Sequence, residues 1–399
     1  MGKKHILVIT QYFYPETFRI NDMCQEWVKR GYKVTVVTGI PNYPMGKIFP
    51  GYGFTKKRRE NWSGVDIVRI PLIPRGSSSI GMVANYLSFV ISGYWWKCFT
   101  DIKADYVFTF EVSPMTQGLL GVWYAQKYKV PNYIYVQDLW PENVEIVTGI
   151  HNPIIIKPIQ KMVDYIYKHN DAIFATSPSF VKEIQKHVED KGKVHYWPQY
   201  AEDFYKPMEK KPMPEITDDD SFKIAFTGNI GKAQGLNILP KAAELLKGEK
   251  IKFVIVGDGR YQAELEKEIK ERQVEDMFVM VPRQPAERIP ELLACCDAAF
   301  ISFQDNDLWK KTIPAKLQSY MACGMPIIAA AEGETERIIR DAECGVCCKI
   351  GDVVGLVEVI QQLLAENKEQ LSENSRKYFE NNFDKKLLMD KIENWFCDD

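Results

Sequence analysis

What this 399-residue sequence most lacks is charge of one sign: 51 Lys and Arg stand against 53 Asp and Glu, a formal net charge of −2. A general nucleic-acid binder needs a long-range positive field, so that class is excluded and any basic patch has to be local. Low-complexity tracts are missing too. With 46% hydrophobic and 26% charged residues the composition is that of folded globular chains, which excludes global disorder and fibrous repeats. A long apolar leader is absent: MGKKHILVIT runs at once into the polar QYFYPETFR, so the chain is expected to stay in the cytoplasm. Nine cysteines, an odd number, suit that reducing compartment better than a disulfide framework. Cys295-Cys296 and Cys344, Cys347 and Cys348 lack two paired C-x2-C turns and a nearby histidine, and they read as buried thiols rather than a zinc site. His151, His169, His187 and His195 form no H-E-x-x-H or i,i+4 pair and read as structural. Asp305-Asn306-Asp307 reads as a solvated loop, and no metal is expected.

What is present is alternation. Apolar or β-branched runs at Ile6–Thr10, Lys33–Thr38, Ile67–Ile70, Tyr106–Phe110, Tyr133–Gln137 and Ala172–Ala175 are separated by stretches of helical spacing such as Ile20–Lys29. Repeated βα units favour a parallel sheet covered on both faces. The alternation pauses at KPMEKKPMPEITDDD and restarts at Lys223–Thr227. It continues through strands Ile251–Val256, Met277–Val281, Ala298–Ser302 and Pro326–Ala330, with helices Asn237–Leu246, Tyr261–Gln273, Ala286–Ala294 and Ala315–Ala322 between them. The expected organisation is α/β: a Rossmann-like domain over residues 1–204, a linker over 205–220, a second Rossmann-like domain over 221–365, and helices over 366–399 that pack back toward the first domain. Two such domains would face a central cleft.

The most apolar stretch, Ile80–Phe99, is interrupted by Asn85, Ser88, Ser92 and Lys97. It reads as a helix packed on the first sheet; the alternative is a face lying on a membrane, with Lys56-Lys57-Arg58-Arg59 meeting anionic lipid.

Loops after strands are where ligands of doubly wound sheets bind. The first such loop, Tyr12-Phe13-Tyr14-Pro15-Glu16-Thr17, carries no G-x-G-x-x-G fingerprint, which removes most of the case for a nicotinamide dehydrogenase. In the second domain Thr227-Gly228-Asn229-Ile230-Gly231-Lys232-Ala233-Gln234-Gly235 lets a backbone pass close to a ligand, with Lys232 as a point charge beside the following helix. That suits a diphosphate. Val256-Gly257-Asp258-Gly259-Arg260 is a second glycine turn, explained equally well as a tight turn, and Arg283 follows the strand Met277–Val281.

Together with Gly31–Thr38, Gln137-Asp138-Leu139-Trp140-Pro141-Glu142 and Thr312–Pro326, this loop resembles glycosyltransferase family 4 over nearly the whole chain. The wording FTGNIGKAQGLN, DLWPE and TIPAKLQSYMACGMPIIA is most similar to its bacterial branch of WbuB-type N-acetyl-L-fucosamine transferases. The resemblance implies the GT-B fold, a nucleotide-sugar donor held mainly by the C-terminal domain, and no metal or other cofactor. It places Gly228, Asn229, Gly231, Lys232, Arg283, Lys311, Thr312, Lys316 and Ser319 around the donor. Pro15, Glu16, Thr17 and Glu142 fall on the acceptor side, and Asp138 with Lys232 in catalytic positions. The sequence also departs from the family. Asn229 and Gln234 stand at the Arg and Lys positions of G-R-x4-K-G, and Lys311 and Ser319 replace both acids of E-x7-E. A lysine at 311 or 316 would then face phosphate rather than sugar.

The expected activity is transfer of a sugar, an N-acetylhexosamine on UDP, to a carbohydrate or lipid-linked acceptor in surface polysaccharide biosynthesis, by a retaining-type enzyme with no covalent role for Asp138. The alternatives are a UDP-N-acetylhexosamine 2-epimerase, whose histidine and carboxylate groups around the sugar C2 have no evident counterpart, and a catalytically silent homologue serving a partner transferase.

Overall fold

The computed structural model describes residues 4–76 and 78–397. The apolar runs become strands because sheet neighbours satisfy their backbone while both faces are covered. In the first unit these are β1 (His5–Ile9), β2 (Lys33–Gly39), β3 (Arg59–Trp62), β4 (Val65–Ile70), β5 (Tyr106–Glu111), β6 (Asn132–Val136), β7 (Ala172–Ala175) and β8 (Val194–Tyr196). They form one sheet in the order β3-β4-β2-β1-β5-β6-β7-β8, parallel except for the antiparallel β3–β4 pair. The edge strand β3 reads Arg-Glu-Asn-Trp and alternates exposed with half-buried positions. It has no apolar run, so nothing in its pattern announced a strand.

The second unit holds β9 (Phe222–Asn229), β10 (Ile251–Asp258), β11 (Phe278–Val281), β12 (Ala298–Ser302), β13 (Ile327–Ala330) and β14 (Gly345–Cys348). All are parallel, in the order β11-β10-β9-β12-β13-β14. The strand order reverses at β1, which sits between β2 and β5, and at β9, which sits between β10 and β12. Such switch points open a crevice at the carboxyl ends of the strands, because the two following crossovers leave in opposite directions.

The chain divides into compact units at residues 197 and 198. The stretch read as a linker is packed on the second unit: Ile216 is buried, and Tyr205 and Met213 lie against its core. The Cys295 thiol donates to the Lys211 carbonyl at 3.1 Å, and Arg288 pairs with Glu215 at 2.7 Å. Proline and charge remove the helical period from this segment without removing its few apolar anchors.

The first of the terminal helices is Lys368–Asn382. It lies against the helix Ala315–Ala322 of its own unit: Ser375 donates to the Met325 carbonyl at 2.8 Å, and Phe379 joins the core. Ser372 donates to the Gly324 carbonyl, so two serine hydroxyls of this helix hold the Gly324-Met325 turn. A second helix, Lys385–Cys397, buries Leu388, Met389, Ile392 and Phe396, and Lys385 pairs with Asp203 at 3.3 Å.

The helix Ser79–Phe99 buries Asn85 and Phe89, and Gly93 closes the same face. A Cβ at Gly93 would stand 2.9 Å from the Leu120 side chain, so this glycine sets how closely the helix approaches its neighbour. Packing on the first unit is therefore present, but along one face of the helix. Among the described residues no helix is long and apolar enough to cross a membrane.

Candidate active site

In the second unit, β9 delivers the glycine loop at the switch point. The Thr227 N–H donates to the Tyr320 hydroxyl at 2.8 Å, tying the strand end to the helix Ala315–Ala322. Gly228 has φ +124°, and a Cβ there would meet the Lys316 Cε at 3.0 Å. Glycine at 228 thus lets the lysine stem lie across the strand end. The half-buried Lys316 ammonium donates to Gln234 Oε1 and lies 4.8 Å from the centre of the Phe226 ring. No carboxylate pairs with it among the described residues. Burial pushes its pKa down to about 8, because nothing anionic offsets the lost hydration. An anionic ligand at this point would offset the lost hydration.

The rest of the loop is organised around it. Gly231 opens a short turn, Lys232–Gln234, closed by Gly235 at φ +60°. A Cβ at Gly235 would approach the Phe303 carbonyl oxygen to 2.5 Å. Lys232 is exposed at the start of this turn, and Asn229 is exposed with its amide beside Gly231. The β10 turn joins them: the Ile230 N–H donates to the Asp258 carbonyl at 2.7 Å, and Arg283 lies 3.6 Å from the Asp258 carboxylate. Gly228, Asn229, Gly231, Lys232, Lys316 and Arg283 are therefore brought to one end of the sheet.

Thr312 and Ser319 stand differently. The Thr312 hydroxyl donates to the Leu308 carbonyl at 2.9 Å and the buried Ser319 hydroxyl to Ala315 at 3.1 Å, so both protons are taken by the preceding helical turn. Lys311 ends the helix Asp307–Lys311 and is half-buried.

In the first unit the strand ends carry acids. Asp138 follows β6, and its Oδ2 accepts from the Ser113 N–H at 2.8 Å and the Ser113 hydroxyl at 2.7 Å. Trp140 and Asn143 donate to the same hydroxyl oxygen, at 3.1 and 2.7 Å. Asp138 does not cap the helix Glu142–Thr148, whose N-cap is Pro141. Glu111, the last residue of β5, is fully buried, and its Oε2 accepts the N–H groups of Gln137 and Asp138 at 3.2 and 3.3 Å. Burial, with Asp138 nearby, holds its carboxyl well above the usual range. The sequence reasoning missed Glu111 and Ser113; the usable signal was an acid directly at a strand end, before Val-Ser-Pro. Glu142 is half-buried in the first turn of its helix, with Oε2 enclosed and unpartnered among the described residues.

Glu16, expected on the acceptor side, is held by backbone N–H groups. Its Oε1 accepts the N–H groups of Asn42 and Tyr43 at 2.7 and 2.6 Å and its Oε2 that of Phe13 at 3.2 Å. The buried carboxyl knots two loops together, and desolvation pushes its pKa up to about 7. Pro15 is half-buried beside it, and Thr17 is exposed.

Comparison with known proteins decides between chemistries. Residues 17–199 match the family described as glycosyl transferase 4-like domain, and residues 208–382 match glycosyl transferases group 1. The chain is a glycosyltransferase of the GT-B fold. It is 26% identical over 401 residues to WcaI of Escherichia coli (strain K12), described as a glycosyl transferase of colanic acid biosynthesis, covering 91% of this chain and 92% of that one. It is 25% identical over 270 residues to a Pseudomonas aeruginosa protein described as glycosyltransferase WbjE, covering 65% and 66%. The solved structure of Anabaena HepE in complex with UDP superposes with a TM-score of 0.71 at 14% identity, covering 99% of each chain. In this glycosyltransferase no group of three or more His, Cys, Asp or Glu among the described residues could hold a metal ion.

Proposed function

We propose that the enzyme transfers an N-acetylated hexosamine from UDP to a carbohydrate or lipid-linked acceptor in surface polysaccharide assembly, retaining the anomeric configuration. The observation that carries the donor side is the Lys316 ammonium lying across Gly228 with no carboxylate partner among the described residues. In the reaction the bond from the sugar C1 to the diphosphate oxygen breaks, its electron pair leaves with UDP, and the acceptor oxygen bonds to C1 while its proton passes to the Asp138 carboxylate. Lys316, Lys232 and Arg283 offset the charge that grows on the diphosphate, while Asp138 and Glu142 bind acceptor hydroxyls. The UDP found in the HepE structure and the colanic acid role described for WcaI support this reading.

A panel of UDP-, GDP- and TDP-sugars, scored by thermal stabilisation, tests the donor. A ligand at 100 times its Kd adds about 2.7 kcal/mol to folding. Stabilisation by GDP- or TDP-sugars with none by UDP-sugars would overturn the donor assignment. Conversion of UDP-N-acetylglucosamine to its 2-epimer without any acceptor would overturn transfer itself.

A further inference from the structure

The helix Ser79–Phe99 has a second face that nothing in its own unit covers. Ile80, Val83, Leu87, Ile91, Tyr94, Trp95 and Phe99 recur at helical spacing and are 45% to 84% exposed. Over 21 residues that stripe runs for about 30 Å, at 1.5 Å per residue. Monomeric proteins rarely expose a continuous apolar face of this size without a partner. Its chemistry changes toward the C-terminal end: Trp95 and Phe99 stack at 6.0 Å, and the Lys97 ammonium lies over the Tyr94 ring at 4.6 Å. Beside that end lies a groove of about 450 Å³ lined by Arg58, Arg59, Trp95, Trp96 and Phe99, with Asp101 as its anionic member. Arg58 is held in place by bonds to the Arg69 and Phe54 carbonyls, whereas Arg59 projects from the edge strand β3 and is exposed. Lys56 and Lys57 adjoin them, also exposed.

We infer that this face docks flat on a bilayer containing anionic phospholipid, its aliphatic stripe at the acyl boundary, its aromatic rings at headgroup level, and a lipid phosphate in the Arg58–Arg59 groove. Charge complementarity selects this occupant: a second copy of the same face would set one arginine groove against another, while anionic headgroups neutralise it. Aromatic rings bordered by cations are also what an interface between hydrocarbon and water favours. The inference deepens the lipid-linked acceptor reading by naming the surface on which that acceptor would be met.

The test is co-sedimentation of the full chain with vesicles of pure phosphatidylcholine or of phosphatidylcholine with phosphatidylglycerol, at low and high salt, without any sugar. Failure of the donor or acceptor reading would leave its result unchanged. Binding is expected only to the anionic vesicles and should fall with salt. It should weaken about fivefold in Arg59→Gln, which removes one cation at the surface, and be lost in the Leu87→Gln/Ile91→Gln double variant. The circular dichroism spectra and melting temperatures of both variants should match the parent and report intact folding. Equal binding to both vesicle types, or no loss in either variant, would overturn the proposal. So would sedimentation of the parent as a dimer with no vesicle binding, which would assign the face to a second copy.

Discussion

In the first unit the carboxyl ends of the strands converge on acids: Glu16 after β1, Glu111 at the end of β5, and Asp138 after β6. In the second unit the equivalent ends carry glycines and cations: Gly228 at the end of β9 with Lys316 across it, Gly231 in the loop that follows, and Arg283 beside the Asp258 carboxylate that ends β10. The two sheets share an architecture, and burial acts on both sets of charges, but with opposite sign. It raises the carboxyl pKa values of Glu16 and Glu111 in one unit and lowers the pKa of Lys316 in the other. A Rossmann-like unit therefore has no fixed electrostatic character. The loops decide it, and the function proposed above assigns hydroxyl groups to Asp138 on the acid side and a leaving diphosphate to the cation side.

The largest expected effect separates those roles. Asp138→Ala removes the acceptor that holds the Ser113 N–H and hydroxyl, and with it a carboxylate available for proton transfer. Turnover should fall by about two orders of magnitude, the scale of a lost acid–base group, while calorimetric UDP affinity stays unchanged. A parallel loss of UDP affinity would dissolve the division between the units.

Next is Lys316→Met, which keeps the stem and removes the charge. UDP should bind roughly 10- to 100-fold more weakly, as expected for a lost charged hydrogen bond of about 1.5–3 kcal/mol. Lys232→Ala should cost less, because Lys232 is exposed and already shares its field with water. The reverse order in titration calorimetry would move the centre of the phosphate site from Lys316 to Lys232.

How much of this was legible depended on whether the signal was local. The central strands of both sheets were readable because strands buried on both faces are short apolar runs, as in Ile251–Val256. The edge strand Arg59–Trp62 was not, because only one neighbour and no apolar face define it. The glycine loop announced itself by composition, and Lys316 was a candidate from its place at a helix start. Its contact with Gly228, however, exists only once β9 and the helix Ala315–Ala322 are side by side. The bonds of Glu16 were hidden for the same reason: a loop carboxylate looks like a ligand contact until the N–H groups of Asn42 and Tyr43 arrive from a distant loop. Glu111 was passed over because nothing local marks an acid beside an apolar run as buried, and only the fold shows that it is fully enclosed.

A third test uses the depressed lysine. With the free site at about 8, Lys316 is increasingly neutral at higher pH, whereas a bound diphosphate restores the favourable environment for its charge. UDP binding should therefore take up a proton above pH 8, and its Kd should rise by about tenfold per pH unit until the bound-state value is reached. In Lys316→Met that rise should disappear. A pH-independent Kd in the parent protein would show that the ammonium does not meet the phosphate.

The smallest effect sharpens the comparison through stability. Glu16 titrates at about 7 when folded but in the ordinary carboxylate range when unfolded. Between those values the folded protein keeps a proton that the unfolded chain has lost, so stability is greatest below the unfolded value and declines as pH rises toward 7. The decline is about 1.4 kcal/mol per pH unit for one group. Glu111 adds to it in the same direction. In the second unit the sign reverses: between about 8 and the usual lysine value, the unfolded chain holds the proton that folded Lys316 has released, and stability rises with pH. Hydrogen exchange read separately on the amides of β1 and β9 can follow both trends. Glu16→Gln should flatten the β1 trend by one proton's worth between pH 5 and 7 and leave β9 untouched. Its amide also puts an N–H donor where Glu16 now accepts, so β1 should be less protected overall even as its pH dependence shrinks. An unchanged slope in this variant would mean that Glu16 remains ionised across the range, with its three N–H donors outweighing the cost of burial.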